Sequence, residues 1–566
     1  MSDPAILERN LLSVSLSDPA LGARIRDTDP SEYFRLISSR SGLPVPALEE
    51  NGHTHSLHSQ IDPEREAIRL VEGYTGGGYF VCFGLGAGYQ VKQLLNRSHT
   101  SNVLILESDP SLLRATLEAI DLHALLIDPR VSLLVDPEAA RLRSHLLASY
   151  FPSVCGKLST VSLRSRTSRA AETFAQMAST VRQTLEELAD DFAVQSYFGK
   201  RWFANIVANL HLAAGRSVTL PPVRKAWVVA AGPSLERQLV LIKARDKNDT
   251  IISTDTAMRP LLAAGIVPDI VLSIDCQQVS YHHFIAGYPQ NVPLVIDLAS
   301  PPIVVRRASQ IAFFSSGHPF ARYVGERVRH FPLLDTSGGN VTHAAVSLAD
   351  RLGAREVNIA GADYSYPGGK AYARGTYLYP YFLGQSDRMK PLETHFFSFL
   401  VRTNSVTTER TANGLRYSTR PLRVYRDRLE ALIGTIDAAV AMLPGDGLTV
   451  NTATGNRGTS RIKRTVVRTI FAAGPLSNDW IGFLRNYLTD VRALPEPQLS
   501  WGLYDSTLSA EQRLIATTLL PVAAAVRREL SRGAPASDEP DLPQLFRATR
   551  QWVESVISRS IRQVNN

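Results

Sequence analysis

Between residues 225 and 360 the chain repeats one local pattern. A short apolar run ends in small residues or an aspartate, and a helix follows. WVVAAGPSLE, IISTDTA and VLSID are three instances, and VNIAGAD at 357–363 is a fourth. Strands that read as unbroken apolar runs are buried on both faces, as in a parallel sheet with helices packed over it. Alternating strand and helix signals of this kind leave an α/β architecture as the reading. Strands are expected at 226–230, 250–253, 270–274, 294–298, 311–314 and 356–360.

A second, smaller α/β region precedes it, with strands expected at 79–83, 103–106 and 131–135. Residues 166–215 read as continuously helical, and the proline pair Pro221-Pro222 marks a boundary. Beyond about 470 the chain becomes helical, with proline-rich spacers at 494–499 and 533–543 and an amphipathic, arginine-rich helix at 545–562. The expected division is an N-terminal α/β domain with a helical extension (1–215), a central domain (216–465) and a helical C-terminal domain (466–566). At 566 residues the chain is long enough for several domains.

Composition narrows the setting. The longest apolar stretch, 514–526, is too short to span a bilayer and contains Pro521. No secretory signal is visible at the N-terminus. The three cysteines, Cys82, Cys155 and Cys276, lie far apart, which argues against a disulfide framework or a zinc knuckle. A cytoplasmic protein is expected. The net charge of +8 is concentrated partly at 456–468, NRGTSRIKRTVVR. No nucleic-acid-binding signature accompanies it, so a solvated basic face is the reading and no nucleic-acid partner is expected. His53, His55 and His58 in NGHTHSLHSQ lack a supporting carboxylate nearby in sequence and read as an exposed loop.

Two glycine turns compete for the chemistry. FVCFGLGAGYQ at 80–90 places Gly84, Gly86 and Gly88 after a strand. Glu107, nineteen positions after Gly88, stands where a ribose hydroxyl could be bound. That spacing suits S-adenosylmethionine better than a dinucleotide. Later signatures of methyl transfer are absent, so the turn is assigned to an accessory domain, with acceptor binding as a role for it.

The turn at Gly232, Pro233 and Ser234 has more companions. Glycine permits close approach, proline suits a helix start, and the serine hydroxyl lies beside helix-terminal amides. Asp255, Asp275 and Asp363 follow three other strands, at the edge where open α/β sheets bind ligands. The bland alternative is that Asp255 and Asp363 merely cap helices.

These motifs carry a resemblance. AAGPSLE, STDTA (253–257), GIVPDIVLSID (265–275), the stretch 335–378 and NTATG (451–455) resemble the motility-associated factor (Maf) glycosyltransferases over about 220–465. GLGAGY and LILESDP resemble their N-terminal domain. The central domain is similar in turn to bacterial sialyltransferases and to 6-hydroxymethylpterin pyrophosphokinases. The fold implied is a central Rossmann-like, sialyltransferase-type domain, preceded by a smaller Rossmann-like α/β domain and followed by a helical one.

The resemblance implies transfer of a nonulosonic acid, pseudaminic or legionaminic in type, from a CMP-sugar to Ser/Thr of flagellin, in support of flagellum assembly and motility. Gly232, Pro233, Ser234 and Asp255 would hold the CMP moiety, with Asp275 beside them. Thr336, Ser337 and Gly338 match a donor-contacting turn. Asp363 matches an acidic motif position, and Asn451 and Thr452 lie in a segment closing over the nucleotide. The sialyltransferase histidine that serves as general base is replaced here by Leu415. Asp363, Glu393 and His395 are the candidates for that base, and Arg374 is a candidate charge partner for the donor. No metal ligands are assigned. Metal dependence stays open, because Asp255, Asp275 and Asp363 could hold a divalent ion. A pterin diphosphokinase and a non-catalytic flagellin-binding protein are the alternatives. The sugar, the acceptor sites and the oligomeric state are not fixed by the sequence.

Overall fold

The computed structural model describes residues 4–50, 52–74, 78–214, 218–402, 405–452, 479–532 and 540–565. The basic segment at 456–468 lies outside them, as does part of the NTATG motif. By internal contacts the chain forms two compact units, 1–200 with 489–555, and 201–488 with 556–566.

The first unit contains a three-stranded antiparallel sheet of β1 (Phe34–Ser38), β2 (Pro44–Glu50) and β3 (His53–Ser56). It also contains a four-stranded parallel sheet of β4 (Gly78–Phe83), β5 (Thr100–Glu107), β6 (Val131–Val135) and β7 (Leu158–Ser162), in the order β6-β5-β4-β7. Every residue of β4 is buried, as its apolar run requires of a central parallel strand. One expectation changes. His53 and His55 lie exposed on β3, whereas His58 is buried and not in an exposed loop. No motif marks the partners that enclose it. Its ring meets Tyr89 edge-on at 5.2 Å, and its Nδ1 faces Glu66 at 3.5 Å.

The second unit is built on a seven-stranded parallel sheet. Its strands are β8 (Lys225–Val229), β9 (Thr250–Thr254), β10 (Ile270–Ser273), β11 (Leu294–Asp297), β12 (Ile311–Phe314), β13 (Glu356–Ala360) and β17 (Ala439–Met442). Their order is β12-β11-β10-β9-β8-β13-β17, with every pairing parallel. The chain starts at β8, steps outward to β12, then returns to lay β13 on the other side of β8. The strand order therefore reverses between β8 and β13. In doubly wound sheets, ligands bind in the crevice at the carboxyl ends of strands flanking such a reversal.

All six strands expected in this region form. Two features were not foreseen. Between β13 and β17 the chain inserts a small antiparallel sheet of β14 (Tyr366–Pro367), β15 (Val406–Thr411) and β16 (Gly414–Thr419) with two short helices, and β17 itself extends the parallel sheet. The insertion has its own aromatic cluster, which includes Phe382 and Phe396.

After 479 the described residues are mainly helical, with helices at Trp480–Ala493, Trp501–Thr507, Ala510–Leu530 and Leu542–Asn565. Among the described residues no helix is long and apolar enough to cross a membrane.

Candidate functional site

The turns after β8 and β13 interlock. Ala230 donates its amide to Ala360 O (2.8 Å), and Gly232 donates to Gly361 O (2.7 Å). Gly361, at φ 67°, donates in turn to Gln238 Oε1 (2.7 Å). A Cβ on Gly232 would lie 2.3 Å from Asp363 Oδ2 and 2.5 Å from Gly361 O, so the packing admits only glycine there. Gly232→Ala is expected to cost about 1–3 kcal/mol of stability and to disturb ligand binding at this turn. Urea denaturation beside a ligand titration checks both.

Ser234 and Asp363 form one buried unit. Asp363 Oδ2 accepts the Ser234 amide (2.9 Å), and Oδ1 accepts the Ser234 hydroxyl (2.5 Å). The Ser234 hydroxyl oxygen accepts from the Asp446 amide (3.0 Å). Burial raises the Asp363 carboxyl above the ordinary range, and the two Ser234 bonds pull it back. The sequence suggested that an external anion would meet the serine and the amide beside it. In the structure Asp363 supplies that negative charge itself, at the start of the helix Leu235–Lys243.

Beside this pair opens a cavity of about 260 Å³, lined by Pro233, Ser234, Arg237, Lys370, Asn413, Leu415 and Arg416 among others. The hairpin residue Leu415 lines the same cavity as Ser234.

The next two strand ends carry a second cluster. Thr254 caps the helix Asp255–Ala263. Asp255 is left to accept from the Thr256 amide (2.7 Å) and the Ser273 hydroxyl (2.7 Å). Asp275 Oδ1 accepts from the Gln277 amide (2.8 Å), and burial followed by the nearby Asp255 charge raises its carboxyl. His283, at the end of the short helix Gln278–His283, meets the edge of the Tyr377 ring at 4.8 Å. His282 stacks on the same ring at 5.3 Å. The loop bearing Tyr377 is tied to the first cluster, because Ala373 donates to Ala231 O (2.8 Å) and Arg374 donates its amide to Glu236 Oε1 (2.9 Å).

Asp363, Ser234, Asp255 and Asp275 thus follow four strands that are neighbours in space, β13, β8, β9 and β10. With strands about 4.8 Å apart, the row spans about 14 Å, the length of an extended small ligand.

The remaining candidates lie elsewhere. Ser337 donates its amide to Asp335 Oδ1 (2.9 Å), and Thr336 and Ser337 line a separate cavity of about 960 Å³ with Arg351 and Asp437. A Cβ on Gly338 would meet His343, whose Nε2 lies 3.1 Å from Asp335 Oδ2. The Asn451 amide donates to Glu430 Oε1 (2.8 Å), and Thr452 is half-buried. Glu393 is exposed on the helix Leu392–Leu400, and His395 stacks on Phe382 at 5.7 Å. Among the described residues no three His, Cys, Asp or Glu side chains group so as to hold a metal ion. His283 escaped the sequence reading. The only signal was a histidine pair in the loop after the strand that ends in Asp275.

In the first unit the GLGAG turn is filled by the protein itself. Gly84, Gly86 and Gly88 all have positive φ. His58 Nε2 accepts the Ala87 amide at 2.9 Å, and a Cβ on Gly86 would lie 2.2 Å from that nitrogen. Glu107 is paired with the buried Arg166 and accepts from the Leu85 amide (3.2 Å). Its carboxylate is therefore committed within the fold.

A doubly wound α/β unit with polar side chains converging on its reversal point places the chain among α/β proteins that bind a ligand at that crevice. Residues 8–149 match the family described as the glycosyltransferase Maf N-terminal domain, and 200–369 match the family described as 6-hydroxymethylpterin diphosphokinase MptE-like. Two uncharacterised proteins of Treponema pallidum (strain Nichols) are similar. One is 34% identical over 178 residues, covering 31% of this chain and 63% of its own length. The other is 28% identical over 165 residues, covering 29% and 79%. The fold is that of the Maf glycosyltransferase from Magnetospirillum magneticum AMB-1, with a TM-score of 0.57 and 17% identity over 99% of this chain and 96% of that one. The two family matches and the shared fold together support the Maf glycosyltransferase family as the group this chain resembles.

Proposed function

We propose that the chain transfers a nonulosonic acid from a CMP-sugar to Ser or Thr hydroxyls of flagellin, in the cytoplasm. The observation that carries this reading is the row of Asp363–Ser234, Asp255 and Asp275 along four adjacent strand ends, in a chain that resembles a glycosyltransferase family. In this reading 216–465 is the transferase domain, and the turn at Gly232 and Pro233 meets the nucleotide. Arg237, Lys370 and Arg416 around the adjoining cavity, paired in the structure with Asp446, Glu236 and Glu409, would exchange those partners for the donor's phosphate and carboxylate. Arg374, on the loop tied to Glu236 at that cavity, extends the donor contacts. The acceptor oxygen attacks the anomeric carbon, and CMP departs with the electron pair of the broken C–O bond.

The family match over 200–369 favours one further reading, a pterin diphosphokinase using ATP and a divalent ion. Thermal unfolding separates the two. CMP at about 100 times its Kd is expected to stabilise the protein by about 2.7 kcal/mol, with no comparable shift from ATP and Mg²⁺. The reverse pattern selects the kinase. Unchanged flagellin mass in a deletion strain would sink the transferase reading.

A further inference from the structure

We infer that His283 accepts the proton of the attacking hydroxyl from the β10 side of the crevice. The inference rests on the transferase reading above. An alcohol is a weak nucleophile until a positioned base takes its proton. The structure gives that work to few groups. Leu415, on the cavity beside Ser234, has no basic atom. His395 is stacked into the aromatic cluster of the insertion, and Glu393 is exposed on its outer helix. Asp363 already spends both carboxylate oxygens on Ser234.

His283 differs from all of these. Its ring is braced by Tyr377, and Nε2 lies 3.5 Å from Thr256 Oγ1, at the head of the helix Asp255–Ala263. Two carboxylates face it, Asp255 from the end of β9 and Asp275 from beyond β10. His282 on its own helix and Arg259 one turn along the facing helix oppose them. Burial is the largest influence and holds the imidazole below its usual range, so the ring is neutral at pH 7 and free to accept a proton. Once the proton arrives, Asp255 and Asp275 stabilise the imidazolium, the role a carboxylate plays behind a general base.

The step balances. The acceptor O–H proton moves to an imidazole nitrogen while the oxygen forms the new bond to the anomeric carbon. The bond from that carbon to the CMP phosphate oxygen breaks with its electron pair on the phosphate.

The test uses the full chain, flagellin and a CMP-nonulosonate. His283→Asn is expected to lower kcat about 100-fold or more while leaving the CMP thermal shift unchanged. It should also remove the acid limb of the kcat–pH profile, and imidazole should partly restore His283→Ala. Transfer by His283→Asn within about threefold of wild type overturns the inference. So does loss of the CMP shift together with activity, which would make His283 a binding or packing residue. If wild type binds CMP and transfers sugar, these outcomes bear on His283 alone. If wild type does neither, the transferase reading fails and the inference falls with it.

Discussion

Asp363→Ala is expected to lower transfer about 10³-fold while the chain stays folded, as measured by kcat/KM beside circular dichroism. The carboxylate holds both the amide and the hydroxyl of Ser234. Removing it strands two buried donors at the start of a helix, at about 1–3 kcal/mol each. The local cost falls on the turn that approaches the ligand, since Gly232 packs directly against that carboxylate. A displacement of about 1 Å in a positioning turn can cost about 10² in rate. Asp363→Asn separates the contributions. It keeps the shape but turns one acceptor into a donor facing another donor, so its fold should be nearly wild type and its activity low. Wild-type transfer by both variants would leave Asp363 as a helix cap and nothing more.

The parallel sheet was legible because buried strands are continuous apolar runs, and β8, β9, β10 and β13 each lead into a serine or aspartate. Which strand ends meet was not legible. Ser234 and Asp363 are 129 residues apart in sequence, and only the return of the chain to β13 brings them together. The pairing also reassigns them. Motif reading offered Ser234 to a nucleotide and Asp363 as a candidate base, whereas in space each satisfies the other. His283 was missed because a histidine pair in a short irregular helix has no periodicity, and its carboxylate neighbour Asp255 comes from the start of another helix. The hairpin of β15 and β16 was missed for a related reason. Half of its strand residues are exposed and only the last two of β16 are buried, so no apolar alternation marks it.

The first glycine turn gives the other large effect, this time on stability. Glu107→Ala is expected to destabilise the protein by about 3–5 kcal/mol. Glu107 and Arg166 each have side chains only 3% exposed and are hydrogen-bonded to one another, so the variant leaves a guanidinium buried without its counter-ion. Arg166 keeps only the Ser108 hydroxyl at 3.2 Å among the described side-chain contacts, too little to offset desolvation of a charge. Replacing both residues with methionine should recover most of the loss, because it is removal of one partner that is costly. Denaturant unfolding of the three variants measures this directly. A ribose ligand would behave in the opposite way. Glu107→Ala would then leave stability within about 1 kcal/mol and weaken nucleotide binding. The geometry argues for the first outcome, since His58 and Arg166 already take the space against Gly86 and Gly84 that a cofactor would need.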